Sequence, residues 1–330
     1  MDTPAHILLI RLKSIGDVVF TLPAVHRVRD MFPGAKITFL TASENVPLLA
    51  GFPGVDEVIP LDRGRFRSWN PAIILAAGFT LLRRLRREKF SLAVDFQGYG
   101  ETEFLAWWSG AAQRWGYHPP RGWTYTHTSR RDKTLHPAEW NLALLPGGRA
   151  AGPVRNEFIL PATARAEAEQ FLTNHQVASG RPLLYLQPFT SNPKKDWRLE
   201  SALELARGWQ ARGGAVVFGG GPAERAVLEP AQAAGFLVAA GHPLLVSAGL
   251  MQRSTLVVGA DTGLLHLAVA LGRRVVMLMR SNAPGTSHPF QHPDWALTPP
   301  AGKTVADIPA AAVMAVCERA ASEAIGNGPG

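Results

Sequence analysis

Short apolar runs rich in Val, Ile and Leu alternate along this chain with longer stretches whose apolar residues recur at helical spacing. The first pattern belongs to buried strands and the second to amphipathic helices. In the first half, residues 6–12, 36–41, 57–61 and 92–95 read as strands, and 17–31, 73–88 and 101–109 as helices. In the second half, strands are expected at 183–186, 215–218, 236–239, 256–259 and 274–279. The helices between and after them are expected at 199–212, 222–234, 244–253, 264–271 and 308–325. This alternation implies parallel strands joined by crossover helices. Between the halves, Pro-Gly-Gly-Arg-Ala-Ala-Gly-Pro at 146–153 breaks the pattern, and glycine and proline at that density mark a connection. The expected architecture is α/β: two doubly wound, Rossmann-like domains, 1–155 and 156–330, with a ligand cleft between their strand ends.

Composition fits that picture. A chain of 330 residues suits two domains of about 150 each. With 46% hydrophobic and 18% charged residues it can fill two cores, and fraying is expected only at 326–330. The one cysteine, Cys317, has no internal partner and reads as a small buried residue in preference to a catalytic thiol. No Cys/His cluster has zinc spacing. The opening residues carry no basic region leading into an apolar core, so no signal peptide is expected. The most apolar segment, 71–82, is about a dozen residues, against about 20 for a membrane span. A cytoplasmic chain that does not cross a membrane follows.

The formal charge of +8 is uneven: residues 1–150 hold 19 Lys/Arg against 13 Asp/Glu, and 151–330 hold 15 against 13. A basic first half suits an anionic partner, a phosphorylated lipid, nucleic acid or membrane surface, or serves solubility alone. No nucleic-acid recognition motif is present, so nucleic acid is not an expected partner. At 81–90 a basic helix end follows the apolar run. It suits peripheral contact with the inner membrane surface, or a solvated face with cations at a helix C-terminus.

Five polar clusters sit where strands run into loops or helices. Arg11-Leu-Lys-Ser-Ile-Gly-Asp17 joins the first strand to the first helix. Gly16 lets backbone approach a ligand, and Asp17 could serve as general base on an acceptor hydroxyl; Ser14 and Asp17 equally resemble a capping box. There is no Gly-x-Gly-x-x-Gly here, which counts against a dinucleotide site. Val258-Gly-Ala-Asp-Thr-Gly-Leu-Leu-His266 puts Asp261, Thr262 and Gly263 at a helix N-terminus, a place for phosphate oxygens or for a plain N-cap. His266 reads as a packed residue. Thr190-Ser-Asn-Pro-Lys-Lys-Asp-Trp197 offers lysines to a diphosphate leaving group. Phe218-Gly-Gly-Gly-Pro-Ala-Glu224 suits close approach to a nucleotide, with Glu224 able to meet a ribose, although a tight turn explains the same residues. Asp95-Phe-Gln-Gly98 ends a strand in the basic half, and its Asp95 and Gln97 suit acceptor or sugar contacts.

In this order the motifs resemble glycosyltransferase family 9, the bacterial heptosyltransferases of lipopolysaccharide core synthesis. The specific matches are 7–23, ILLIRLKSIGDVVFTLP, and 257–271, VVGADTGLLHLAVAL. Asp95-Phe-Gln-Gly98, Arg114-Trp-Gly116 and Lys195-Asp-Trp197 are fainter matches in the right order. The resemblance implies a GT-B fold with an acceptor-binding N-domain and a nucleotide-sugar-binding C-domain. It implies Asp17 as catalytic base; from their place beside it and at the neighbouring strand end, Ser14, Gly16, Asp95 and Gln97 are expected on the acceptor side. Lys195 would contact the donor phosphate, Asp261, Thr262 and Gly263 would hold the diphosphate, and Glu224 would meet the ribose. The chain departs from the family pattern at Pro188-Phe189, at Trp197-Arg198 and at Arg280. These departures surround the donor pocket and bear on which nucleotide and sugar it takes.

The implied reaction is inverting displacement without a metal or other cofactor, and no Asp-x-Asp pair is present to hold one. The implied substrates are ADP-heptose and an anionic glycolipid or glycan, the Kdo or heptose of an inner core. Another nucleotide sugar and acceptor on the same fold, or a nucleotide-sugar-binding protein without transfer, are the alternatives.

Overall fold

The computed structural model describes residues 4–118, 123–148, 150 and 152–326, with side chains in the last helix as far as Ala321. The expected frayed tail lies outside them apart from Gly326. The chain forms two compact units, Met1–Phe158 and Ile159–Gly330. Their junction falls three residues past the expected one. Phe158 packs its ring on Phe52 at 6.1 Å and lies so close to Gly51 that no side chain would fit there.

In the first unit the strands are β1 (His6–Ile10), β2 (Lys36–Ala42), β3 (Glu57–Leu61), β4 (Leu92–Asp95), β5 (Gln113–Tyr117) and β6 (His127–Ser129). They form one sheet in the order β3-β2-β1-β4-β5-β6. Every neighbouring pair is parallel. Ile7, Leu8, Leu9 and Ile10 are fully buried, as a central parallel strand covered on both faces must be. The order reverses between β1 and β4, where Ile10 pairs with Asp95. Ligands in doubly wound sheets bind outside the strand ends at such a switch point.

The second unit repeats the plan with β7 (Leu183–Gln187), β8 (Ala215–Phe218), β9 (Leu237–Val238), β10 (Leu256–Ala260), β11 (Val275–Leu278) and β12 (Ala296–Leu297). Its order is β12-β11-β10-β7-β8-β9, again all parallel, with the switch point between β7 and β10. A core of Leu184, Leu186, Val258, Leu278 and Val313 fills one side of this sheet, and Trp197 and Cys317 are buried in it. Both expected doubly wound sheets are present.

Two helices read as continuous are broken. The 17–31 stretch is Ile15–Val19 followed by Leu22–Met31, because Pro23 starts a second helix and the Thr21 hydroxyl closes the first on the Val18 carbonyl at 2.7 Å. The 222–234 stretch is a single turn, Pro222–Glu224, and then Glu229–Ala233 with Pro230 in its first turn. Strands β5, β6 and β12 and helices Pro137–Ala143 and Ala162–Asn174 had no clear pattern in the sequence.

Candidate active site

In the first unit the turn after β1 carries the Ser14–Asp17 pair, and the capping-box reading is correct as far as it goes. Asp17 Oδ2 accepts from the Ser14 backbone N–H at 2.8 Å and from its hydroxyl at 3.1 Å. The other oxygen, Oδ1, is 2.8 Å from Arg11 Nη2. Arg11 is itself fixed, donating from Nη1 to the Phe96 carbonyl at 2.7 Å and from Nε to that of Lys13 at 3.0 Å. The carboxylate remains 39% exposed and forms part of the wall of a pocket of about 140 Å³. Serving the helix and facing the pocket are therefore compatible.

The rest of that wall comes from strand ends that the sequence left unread. Tyr117 closes β5, and Arg131 follows β6 by two residues. The Arg131 guanidinium lies 4.1 Å from the centre of the Tyr117 ring and 5.9 Å from that of Tyr99, and donates to the Gln97 carbonyl. Tyr117 donates its hydroxyl to Asn141 Oδ1 at 2.9 Å, and Asn141 donates to the Phe20 carbonyl at 2.9 Å. Burial pushes the Tyr117 phenol well above its ordinary pKa, so it stays neutral. Trp140 completes the aromatic lining. Two guanidinium groups, five aromatic side chains (with Phe20 and Phe96) and one half-exposed carboxylate thus meet in one pocket.

Asp95 and Gln97 are not in that wall. Asp95 is fully buried and accepts from the backbone N–H groups of Gln97 at 2.8 Å and Gly98 at 3.0 Å and from the Tyr125 hydroxyl at 2.6 Å. Burial raises its pKa, opposed by those hydrogen bonds. Gln97 accepts from the Leu12 N–H at 2.9 Å and donates to Glu101 at 3.2 Å. Both amide ends are spent on the chain. The two residues therefore hold the loop behind the pocket in place of the acceptor contacts expected of them. Ser14 holds Asp17, and Gly16 is buried within the short helix, so neither lines the pocket.

In the second unit the loops after β7 and β10 meet. Lys195 Nζ lies 2.7 Å from Asp261 Oδ2, and His266 Nε2 lies 3.2 Å from Asp261 Oδ1. Burial alone would raise the Asp261 pKa. The hydrogen bond and charge of His266, and then those of Lys195, outweigh it and hold the carboxyl down at about 2. His266, read as a packed residue, is buried but bonded to the cluster. Asp261 carries a negative charge and would repel a diphosphate; its geometry makes it the anchor of Lys195. The lysine loop is fixed at its base by Trp197, whose indole donates to the Ile308 carbonyl at 2.8 Å. Next to Asp261, Thr262 takes the N-cap position of helix Gly263–Ala270, yet its side chain does not cap and its hydroxyl oxygen is buried without a partner. The first-turn amides after Gly263 point outward from that helix end, as in any helix, with the positive end of its dipole.

The glycine loop follows β8. A side chain at Gly219 would collide with the Tyr185 hydroxyl and Gln187 Oε1, and Glu224 leans over Gly221. Glu224 is thus near the loop but outside the Lys195–Asp261–His266 cluster. Among the described residues no group of three or more His, Cys, Asp or Glu side chains is placed to hold a metal ion.

Two parallel sheets of identical strand order, each with polar loops at its switch point, are the architecture of the GT-B fold. The chain belongs to glycosyltransferase family 9 (heptosyltransferase), whose model matches residues 79–303. The lipopolysaccharide core heptosyltransferase OpsX of Haemophilus influenzae is 22% identical over 89% of this chain and 84% of its own length. Lipopolysaccharide heptosyltransferase 1 of Pseudomonas aeruginosa is 26% identical over 84% of this chain and 79% of its own. Among solved structures, a family 9 glycosyl transferase from Veillonella parvula superposes with a TM-score of 0.86 at 22% identity, covering 98% of this chain and 99% of that one. E. coli heptosyltransferase WaaC, crystallised with ADP-2-deoxy-2-fluoro heptose, gives 0.76 at 22% identity, covering 95% and 99%.

Proposed function

We propose that this enzyme transfers heptose from ADP-heptose to the inner core of a lipopolysaccharide, with inversion at the anomeric carbon and no metal ion. The observation that carries the chemistry is Asp17, a half-exposed carboxylate in a pocket that also holds Arg11 and Arg131. The acceptor hydroxyl gives its proton to Asp17 as its oxygen bonds to the anomeric carbon, and the bond from that carbon to the diphosphate oxygen breaks. The electron pair leaves with ADP, whose charge is met by Lys195 and by the amides after Thr262 and Gly263. Asp261 and His266 hold that lysine in place. Arg131, stacked on Tyr117, and Arg11 suit an acceptor that is itself anionic, such as a carboxylated sugar. The names of the relatives, and the ADP-sugar bound in one neighbour, supply the choice of ADP-heptose. The basic first unit and the site of inner-core assembly fit a cytoplasmic protein with peripheral membrane contact.

The test is transfer in EDTA. Release of ADP on mixing the enzyme, ADP-heptose and a Kdo-terminated acceptor is expected, with a product whose new linkage has the anomeric configuration opposite to the donor's by NMR. Retained configuration, or activity abolished by EDTA and restored by a divalent cation, would overturn the mechanism. Calorimetric titration with ADP, UDP and GDP checks the nucleotide; tighter binding of UDP or GDP than ADP would discard the proposed donor.

A further inference from the structure

Among the described residues no helix is long and apolar enough to cross a membrane, but one shows an unusual surface. Helix Pro71–Arg87 spans 17 residues, about 25 Å. It buries Leu85 fully and half-buries Ile74, Leu81 and Leu82. On its other side the first turns are apolar and exposed: Leu75 is 72% and Phe79 65% exposed, and Trp69, just ahead of the helix, is 100% exposed. Positions 75, 79, 83 and 87 follow one another at helical i, i+4 spacing and are all exposed. The stripe is therefore apolar in its first half, Leu75 and Phe79, and cationic in its second, Arg83 and Arg87. The neighbouring cations are committed within the unit: Arg84 pairs with Glu57, and Arg86 lies 5.1 Å over the Trp108 ring.

Clustered exposed apolar side chains on one helix face mark an interaction surface. Three observations point to one partner. An apolar stripe that continues into cations matches a bilayer, whose acyl boundary lies beneath a layer of phosphates. A fully exposed tryptophan beside such a stripe suits the same boundary. The helix is also tied to a cluster of further aromatic side chains on the next helix. Trp108 donates its indole N–H to the Leu82 carbonyl at 3.0 Å and packs with Phe104 and Trp107, and Trp107 in turn meets the exposed Trp123. Their helix, Gly100–Trp108, begins directly after Tyr99, which lines the pocket.

We propose that this face docks the enzyme on an anionic phospholipid bilayer, with Trp69, Leu75 and Phe79 entering the headgroup boundary and Arg83 and Arg87 meeting lipid phosphates. This extends the sequence expectation of contact by the basic helix end at 81–90, because Leu75 and Phe79 of the preceding turns are also exposed. The inference rests on the peripheral membrane contact proposed above and names the surface that makes it; it does not depend on which sugar is transferred.

Binding is tested first, without substrate. The full chain is floated with vesicles of phosphatidylcholine alone and of phosphatidylcholine mixed with phosphatidylglycerol, at low and high salt. Binding to the anionic vesicles is expected, falling at least about tenfold on phosphatidylcholine alone and about tenfold in the variant Leu75→Asp/Phe79→Asp. Arg83→Gln/Arg87→Gln should lower binding and flatten its dependence on salt. All four positions are exposed, so unchanged melting is expected, and transfer to a soluble, delipidated acceptor should match the wild type. Absence of wild-type binding, or binding unaffected in both variants, would overturn the proposal. So would a concentration-dependent dimer that Leu75→Asp/Phe79→Asp abolishes, since the face would then belong to a second copy of the chain.

Discussion

The Asp261 carboxyl offers a stability test whose size follows from its surroundings. Burial would raise its pKa, but His266 first and Lys195 second pull it to about 2 from an ordinary 3.8. Asp261→Asn keeps the shape and removes the charge. At about 1.36 kcal/mol per pH unit, that lowering makes the ionised group worth about 2 kcal/mol of folding free energy at neutral pH. The sign follows from where the proton sits. Between about pH 4 and pH 2 the unfolded chain holds a proton that the folded chain refuses, so stability rises with pH across that window. The contribution is complete above it and drains away as the pH falls toward 2. Urea unfolding of wild type and Asp261→Asn, followed by circular dichroism, should show a gap of about 2 kcal/mol at pH 7, about half of it at pH 3, and little near pH 2. A gap that holds its size from pH 7 to pH 3 would mean that packing, not charge, was lost. No gap at pH 7 would refute the anchoring role outright.

Asp17→Asn should lower transfer by about 10²–10⁴-fold while calorimetry finds donor binding unchanged; near-normal turnover would remove Asp17 as the base. Arg131→Met should raise the acceptor KM with little change in the donor KM, because Arg131 sits in the pocket of the first unit; equal effects on both would count against an acceptor role. Gly219→Ala forces a methyl into the Tyr185 hydroxyl and should cost about 1–3 kcal/mol in denaturant unfolding, and a neutral result would show that the loop yields freely. Tyr125→Phe strips buried Asp95 of its 2.6 Å hydrogen bond and should destabilise by about 1–3 kcal/mol; an unaltered melting curve would mean that Asp95 is satisfied without it.

The fold was legible wherever strands were central. β1, β4, β7, β8 and β10 are buried on both faces, so their sequences are apolar runs with a polar residue only at an end (His6, Asp95, Gln187), as strands of a covered parallel sheet read. The edge strands β6 and β12 escaped, whereas the edge strands β3 and β9 were read from their apolar runs. β6 is His-Thr-Ser, with two of its three residues exposed, and β12 has only two residues. β5 reads Gln-Arg-Trp-Gly-Tyr, and its glycine is explained by space, since the Tyr125 ring lies where a side chain at Gly116 would go. No hydrophobic period records such a contact, because it is made by a residue nine positions away.

The site was legible where one short motif holds both a ligand-facing group and its support. The Arg11–Asp17 turn and the Asp261–His266 segment each place a carboxylate at the start of a helix, and that spacing is visible in the sequence. Which way each carboxylate works is not. Asp17 and Asp261 both pair with a cation, at 2.8 Å and 2.7 Å, and both accept a second hydrogen bond from within their own turn. Exposure separates them: the Asp17 side chain is 39% exposed and that of Asp261 only 14%. A proton acceptor must be reached by the substrate, whereas an anchor is strongest when water is kept away from it. The same motif logic therefore yields a candidate base in one unit and a lysine holder in the other. Tyr117 and Arg131 were invisible for the complementary reason: they reach the pocket from the ends of the two strands that carry the weakest pattern, and nothing local ties them to Asp17.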